Sequence, residues 1–148
     1  EFIVQKATEL GVQKIIAFSS EFSSAYMNEN KLERLNKVAK EAAKQCLRAV
    51  APAVTYCDRF ADALDQAAEY KNKIFACEFA TESKCDLASL HGSTALVVGS
   101  EGGFSREEET LAARKGFSSV TLGKRILRAE TAAVAITSVA MFALGELK

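Results

Sequence analysis

Apolar residues follow two different spacings along the chain. Short apolar runs of strand length lie at residues 14–18, 53–57, 74–79, 94–98 and 118–122. Between them, apolar residues recur every three or four positions, which predicts helices at residues 2–10, 31–50, 60–70, 105–116 and 130–147. Residues 19–30 and 81–93 are polar connections. Strands that alternate with helices predict one α/β domain with a mostly parallel sheet.

Local signals support several of these boundaries. Gly11 stands where a glycine commonly ends a helix, and Gly116 stands at the end of the fourth helix. Ser105 and Glu108 have the spacing of a capping box, in which each side chain bonds the backbone of the other. Pro52 ends the long second helix, because the residue before a proline avoids the α region.

Two short glycine-bearing loops follow apolar runs near the end of the chain, at residues 99–105 and 121–131. Each leads into a predicted helix. If the two strands are neighbours in a parallel sheet, both loops lie at the same edge of that sheet. Open α/β sheets bind their ligands at this edge. The two loops are therefore the first candidate for a functional site.

Composition excludes several classes of protein. The chain has 148 residues and a formal net charge of zero, so bulk charge does not indicate a nucleic acid or membrane partner. Its four cysteines lack zinc-site spacing and are predicted to be reduced thiols, with no metal bound. His91 has no partners for nucleophilic catalysis near it in sequence. The longest uncharged run, residues 131–145, is shorter than the roughly 20 residues of a membrane span.

The first loop, with Gly99, Glu101, Gly102 and Gly103, could hold a ligand with its backbone amides. A phosphate ligand is disfavoured, because Glu101 and the three glutamates at 107–109 would repel it and already complement the helix dipole. No phosphate-binding glycine motif is present. A neutral or cationic ligand fits better, although an ordinary tight turn remains the simpler explanation for this loop alone.

Basic residues form two groups. Lys124, Arg125 and Arg128 lie in the second loop, interleaved with apolar residues. A second group lies on one face of the long helix, where spacings of three and four place Lys37, Lys40, Lys44 and Arg48 together, with Gln45 beside them. Such groups are most often solvated. The functional alternative is contact with an RNA backbone, which predicts RNA-binding roles for Arg125 and for the helix residues.

Four stretches together resemble the bacterial small-subunit ribosomal RNA uridine-N3 methyltransferases of the RsmE type. They are QKATELGV at 5–12, AAKQCLRAVAP at 42–52, GSEGGFS at 99–105 and LGKRILRAETA at 122–132. The last stretch is the most specific, and the order matches over essentially the whole chain. This family belongs to the SPOUT, or α/β-knot, methyltransferases.

The resemblance implies an α/β fold with a deep C-terminal trefoil knot, an exception to the rule against threaded chains. It implies S-adenosylmethionine (SAM) as the methyl donor, a uridine of 16S ribosomal RNA in the small subunit as the substrate, a cytoplasmic location and a homodimer. Residues 1–148 would be the methyltransferase domain, without the family's N-terminal RNA-binding domain and without the first strand. A non-catalytic RNA-binding or dimerisation module of the same fold is the alternative, and a phosphate-binding nucleotide enzyme is a weaker one.

Matched position by position, the resemblance implies roles for residues of both loops. The donor would bind Gly99, Glu101, Gly102, Gly103, Leu122, Gly123, Ile126, Leu127 and Arg128. Methylation of N3 requires loss of the imide proton and stabilisation of charge on the uracil oxygens. Arg128 is the candidate for the second task, and Glu130 or solvent would accept the proton.

Two positions depart from the family pattern. Ser100 replaces the usual proline of the first loop. Phe22 replaces the arginine of a Glu-Arg-Ser sequence that usually follows the first strand, here Glu21-Phe22-Ser23. A basic residue that would help to orient the RNA is therefore missing, and Arg34 or Arg48 is the expected substitute.

Overall fold

The structure is a computed structural model that describes residues 1–77, 80 and 83–148. Its helices are α1 (Phe2–Glu9), α2 (Glu29–Gln45), α3 (Phe60–Asp65), α4 (Arg106–Arg114) and α5 (Ala129–Ala143). Its strands are β1 (Lys14–Phe18), β2 (Ala53–Cys57), β3 (Asn72–Ala76), β4 (Thr94–Val97) and β5 (Ser118–Val120). A short 3-10 helix, Leu87–Ser89, interrupts the connection before β4. The predicted alternation of strands and helices is confirmed.

Every pairing between the named strands is parallel. β1 pairs with β2, and a three-stranded sheet has the order β4-β3-β5. The sequence had suggested that β4 and β5 are neighbours. They are not, because β3 lies between them. The chain leaves β3 to one side and then crosses to the other, which is the topology that opens a crevice at the carboxyl ends of the strands.

Aromatic rings form the largest apolar cluster of the domain. Phe75 of β3, Phe104 and Phe60 of α3 are buried, and their ring centroids lie 4.4–6.2 Å apart. Phe18 at the end of β1 packs on the same group. A second cluster contains Ile74 of β3, Val120 of β5 and Ile136 of α5. Through it, α5 packs on the three-stranded sheet. The loops after β1 and β4 therefore rest on one aromatic core.

The predicted helix at residues 31–50 was wrong at its C-terminal end. α2 begins at Glu29, where the side chain of Asn28 accepts a hydrogen bond from the backbone of Lys31, and it ends at Gln45. Leu47 adopts a left-handed φ of +61°. The backbone amides of Leu47 and Arg48 then bond the carbonyls of Lys44 and Ala43, the pattern of a Schellman cap with leucine in the usual glycine place. Apolar periodicity continues through this cap and conceals it.

Other boundaries differ less. α3 ends at Asp65, five residues before the predicted end, because residues 66–70 form tight turns. β3 begins at Asn72, and residues 78 and 79 of the predicted strand, with 81 and 82, lie outside the described residues. α5 ends at Ala143 rather than at 147. Gly11 and Gly116 follow their helices with φ of +99° and +84°, as predicted.

Candidate methyl-donor and RNA site

A cavity of about 150 Å³ lies at the carboxyl end of the three-stranded sheet. Its floor is Ala76 and Cys77 at the end of β3, and the loops after β4 and β5 form its two walls. Parallel pairing of β3 with both neighbours brings these loops together, although they are separated by a strand. The sequence predicted the two walls, but the floor was missed because the strand order is not encoded locally.

Seven of the nine predicted donor-binding residues line the cavity, namely Gly99, Glu101, Gly103, Leu122, Gly123, Ile126 and Leu127. Their backbone shapes the walls. Gly103 and Gly123 have φ of +71° and +105°, a region that other residues adopt at a cost. At Gly99 an added Cβ would lie 3.0 Å from the ring of Phe104, so the loop lies directly against the aromatic core.

Gly102 and Arg128 are not among the cavity-lining residues. A Cβ at Gly102 would lie 2.7 Å from Cβ of Phe22, so this glycine permits close contact with the loop after β1 instead of with a ligand. Arg128 is the N-cap residue of α5, and Glu130 lies in the first turn of that helix. Within the described part of the chain neither side chain forms a hydrogen bond or ion pair, and Arg128 is exposed at the edge of the cavity, next to Leu127 and Ala129.

The cavity rim is basic and unpaired. Lys124 and Arg125 both line the cavity, are exposed, and have no ion-pair partner among the residues that the structure describes. Arg125 therefore lies where its predicted contact with RNA is possible. Lys124, which was predicted only as part of the basic loop, is a cavity residue as well. Glu101 is the acidic residue in the opposite wall.

The predicted group of basic residues on the long helix does not all lie on one helix face. Lys37, Lys40, Lys44 and Gln45 are exposed on α2, and Lys44 pairs with Glu41 at 2.8 Å. Lys37 and Gln45 line a groove between α1 and α2, away from the cavity. The predicted position of Arg48 on this face was wrong, because α2 has already ended.

Arg48 has a structural role that explains its place. Its Nη1 donates hydrogen bonds to the carbonyls of Thr8 (2.7 Å) and Val12 (2.9 Å), which lie at the C-terminal end of α1. A cation suits this end of a helix, where carbonyl groups lack partners. Arg48 therefore joins α2 to α1. Arg34, the other candidate substitute for the missing arginine, forms an ion pair with Glu1.

The capping box predicted from Ser105 and Glu108 is present and has a further function. The Ser105 hydroxyl accepts from the Glu108 amide at 3.3 Å, and the Glu108 carboxylate accepts from the Ser105 amide at 3.0 Å. Its other oxygen, Oε1, accepts a hydrogen bond from the backbone N–H of Glu21 at 2.8 Å. Glu108 thus joins the loop after β4 to the loop after β1, a contact that sequence spacing could not reveal.

No disulfide joins the four cysteines, all of which lie among the described residues. Partial burial, with a smaller contribution from the charge of Asp86, raises the pKa of the Cys85 thiol, so it stays protonated at neutral pH. Among the described residues there is no cluster of side chains suited to a metal ion, and no helix long and apolar enough to cross a bilayer.

Comparison with known proteins identifies the family. The family described as RNA methyltransferase domain matches residues 1–141. Ribosomal RNA small subunit methyltransferase E of Mesomycoplasma hyopneumoniae is 36% identical over 137 residues, which cover 90% of this chain and 60% of the relative. The crystal structure of ribosomal RNA small subunit methyltransferase E from Neisseria gonorrhoeae, bound to S-adenosyl methionine, superposes with a TM-score of 0.84 at 31% identity. It covers 97% of this chain and 60% of that one.

A more distant structure shows the fold class. The SpoU methyltransferase AviRb from Streptomyces viridochromogenes matches with a TM-score of 0.59 at 18% identity, over 95% of this chain and 52% of that chain. The fold is thus an α/β fold similar to that of the SPOUT methyltransferases. This chain spans about 60% of the length of the RsmE relatives that it matches. The resemblance to the RsmE type is confirmed, and the chain belongs to the RNA methyltransferase domain family.

Proposed function

We propose that this protein is a SAM-dependent methyltransferase that methylates N3 of a uridine in 16S ribosomal RNA. One observation carries the proposal: two glycine-bearing loops enclose a cavity at the carboxyl end of the three-stranded sheet. The relative from Neisseria gonorrhoeae, which has the same fold, is described as bound to S-adenosyl methionine. No feature of the described residues favours the non-catalytic alternative.

The cavity suits this donor chemically. Val98, Leu122 and Leu127 provide apolar walls for a flat base, and the loops offer backbone amides and carbonyls for its polar edge. Glu101 gives a negative charge that complements a sulfonium or ammonium group and opposes a phosphate. A Cβ at Gly123 would meet no atom within 4 Å, so the space in front of this glycine is open.

SAM, when bound, supplies an electrophilic methyl group. The protein must hold the uracil ring next to it and stabilise the negative charge that develops on the ring oxygens. Arg128 is suited to the second task, because it is exposed, its side chain has no partner among the described residues, and it lies in the chain between the cavity-lining residues Leu127 and Ala129. Glu130, two residues later, or solvent accepts the N3 proton.

RNA contacts are proposed at the basic rim and on α2. Lys124 and Arg125 lie at the cavity and would meet the phosphates that flank the target nucleotide. Lys37, Lys40, Lys44 and Gln45 form the second group, on a separate surface. Arg48 is left out of the proposal, because its guanidinium is already bonded to α1.

The finer architecture is also proposed. We infer that residues 1–148 are one methyltransferase domain, that the loops around the cavity form a trefoil knot, and that the enzyme acts in the cytoplasm on the small ribosomal subunit. A homodimer is supported by α5, on which Phe142 is 71% exposed although the helix is almost wholly apolar. Sedimentation at micromolar concentration should show a dimer, and a monomer would remove this part of the proposal.

Donor binding is the direct test. SAM at 100 times its dissociation constant is expected to stabilise the folded protein by about 2.7 kcal/mol, because it binds only the folded state. Thermal unfolding with SAM, S-adenosylhomocysteine and ATP measures this effect. Stabilisation by the first two and not by ATP is expected. A folded protein that responds to none of them would contradict the proposed function and favour the non-catalytic alternative.

Two glycines provide a matched pair of variants for this test. Gly123 and Gly145 both have a left-handed φ, and an added Cβ would meet no atom within 4 Å at either position. Only Gly123 lines the cavity. Gly123→Ala and Gly145→Ala should lower the stability of the fold to a similar degree. Only Gly123→Ala should also weaken SAM binding, and Gly145→Ala should leave SAM affinity unchanged.

A further inference from the structure

The loop after β1, residues 19–28, contacts the loop after β4 and the first turn of α4 at three points. Oε1 of Glu108 accepts the Glu21 amide at 2.8 Å, and the Ser100 hydroxyl donates to the carbonyl of Phe22 at 3.4 Å. The third contact is the close approach of Gly102 to Phe22, which leaves no room for a side chain at residue 102. Ser100 itself lines the cavity. Phe22 is therefore in direct contact with a residue of the proposed donor site, Ser100.

Glu108 makes this attachment rigid. It is the buried carboxylate of the first turn of α4, and each of its two oxygens accepts a backbone N–H from a different loop. Charge-assisted hydrogen bonds of this kind are stronger than neutral ones, and the positive end of the helix dipole favours the buried charge. Ser20 and Ser23 add internal hydrogen bonds within the loop. Hydrogen bonds thus hold the backbone on both sides of Phe22.

Phe22 is nevertheless 48% exposed, whereas Phe18 and Phe104 pack in the aromatic core. A large apolar ring on a fixed loop beside a binding cavity, rimmed by Lys124 and Arg125, suits a partner that is both flat and negatively charged. An unpaired nucleotide has both properties, since its base stacks on aromatic rings and its phosphate pairs with cations.

We propose that Phe22 stacks on a base of the RNA next to the methylated uridine and so sets how the substrate approaches the donor. This inference rests on the proposed function and adds a recognition residue to it. The resemblance implies an arginine at this position, so the proposed stacking contact would take the place of an ionic one. The contribution of residue 22 to RNA affinity should therefore require an aromatic ring and should change little with salt concentration.

The test measures the KM for small ribosomal subunits and the Kd for SAM separately, in the longest form of the protein that its gene encodes. Phe22→Ala is expected to raise the KM for RNA about tenfold to a hundredfold, the range typical of a lost base–aromatic stack. The Kd for SAM should stay unchanged. Phe22→Tyr should restore the KM, because tyrosine keeps the ring.

Tyr26→Ala is the matched control, since Tyr26 is an aromatic residue of the same loop, is 77% exposed and forms no hydrogen bond to the loop after β4 among the described residues. It should change the KM less than twofold. Phe22→Arg should recover part of the affinity and make the dependence of log KM on log salt steeper by about one, as one added phosphate contact does.

Several outcomes would overturn the inference. An unchanged KM in Phe22→Ala, or an equal loss in Tyr26→Ala, would show that Phe22 is not the specific contact. A change in sedimentation without a change in KM would place Phe22 in a protein interface. A wild-type protein that binds SAM and subunits but transfers no methyl group would contradict the proposed function instead, and the RNA affinity of the variants would still test the stack.

Discussion

Arg128→Ala is expected to lower the single-turnover rate of methyl transfer about 100- to 1000-fold, the usual loss when one electrostatic stabiliser of a transition state is removed. SAM affinity should change little, because Arg128 does not line the cavity and its side chain forms no hydrogen bond or ion pair with the lining residues. The fold should also be intact, since the exposed Arg128 side chain provides no capping hydrogen bond to α5. Small ribosomal subunits, saturating SAM and excess enzyme are the conditions for this measurement.

Arg125→Ala is the control for this experiment. Arg125 is an exposed arginine of the same loop and lines the cavity, but its proposed partner is a phosphate. Its removal should weaken RNA binding and reduce the salt slope by about one, with a normal rate once the enzyme is saturated. The opposite result, a near-normal rate for Arg128→Ala and a low rate for saturated Arg125→Ala, would contradict these roles. It would show that Arg125, at the cavity rim, stabilises the charge on the uracil.

Local patterns in the sequence predicted much of the fold. The capping box at Ser105 and Glu108 and the helix ends at Gly11 and Gly116 depend on residues a few positions apart, and the structure has all of them. The strands were found because buried parallel strands are short continuous apolar runs. The site was located for the same reason, since both glycine-bearing loops directly follow such runs.

Features that depend on distant residues could not be predicted in this way. The position of β3 between β4 and β5 is set by tertiary packing, and it determines that Cys77 is the floor of the cavity. Arg48 continues the helical spacing of the lysines, but the left-handed Leu47 turns it toward α1. Gly102 belongs to a glycine-rich loop, yet its neighbour is Phe22. In each case the partner lies tens of residues away in the sequence.

Phe104→Ala should have the largest effect on stability and should also disable the donor site. Phe104 is 3% exposed, packs against Phe18, Phe60 and Phe75, and supports Gly99 from below. Loss of a buried phenylalanine ring typically costs about 3–5 kcal/mol, which is a large part of the stability of a domain of this size. Urea unfolding should therefore show a much lower midpoint.

Loss of stability alone would not establish a link between core and site, so the comparison is with Phe60→Ala. Phe60 is 6% exposed and belongs to the same aromatic cluster, but it does not line the cavity. Both variants should unfold at lower urea concentration than the wild type. At a temperature where both are folded, only Phe104→Ala should bind SAM more weakly, because only that ring lies against the loop that carries Gly99 and Gly103. Equal SAM affinities in the two variants would show that the loop keeps its shape without the ring, and that its own backbone geometry is sufficient to form the wall.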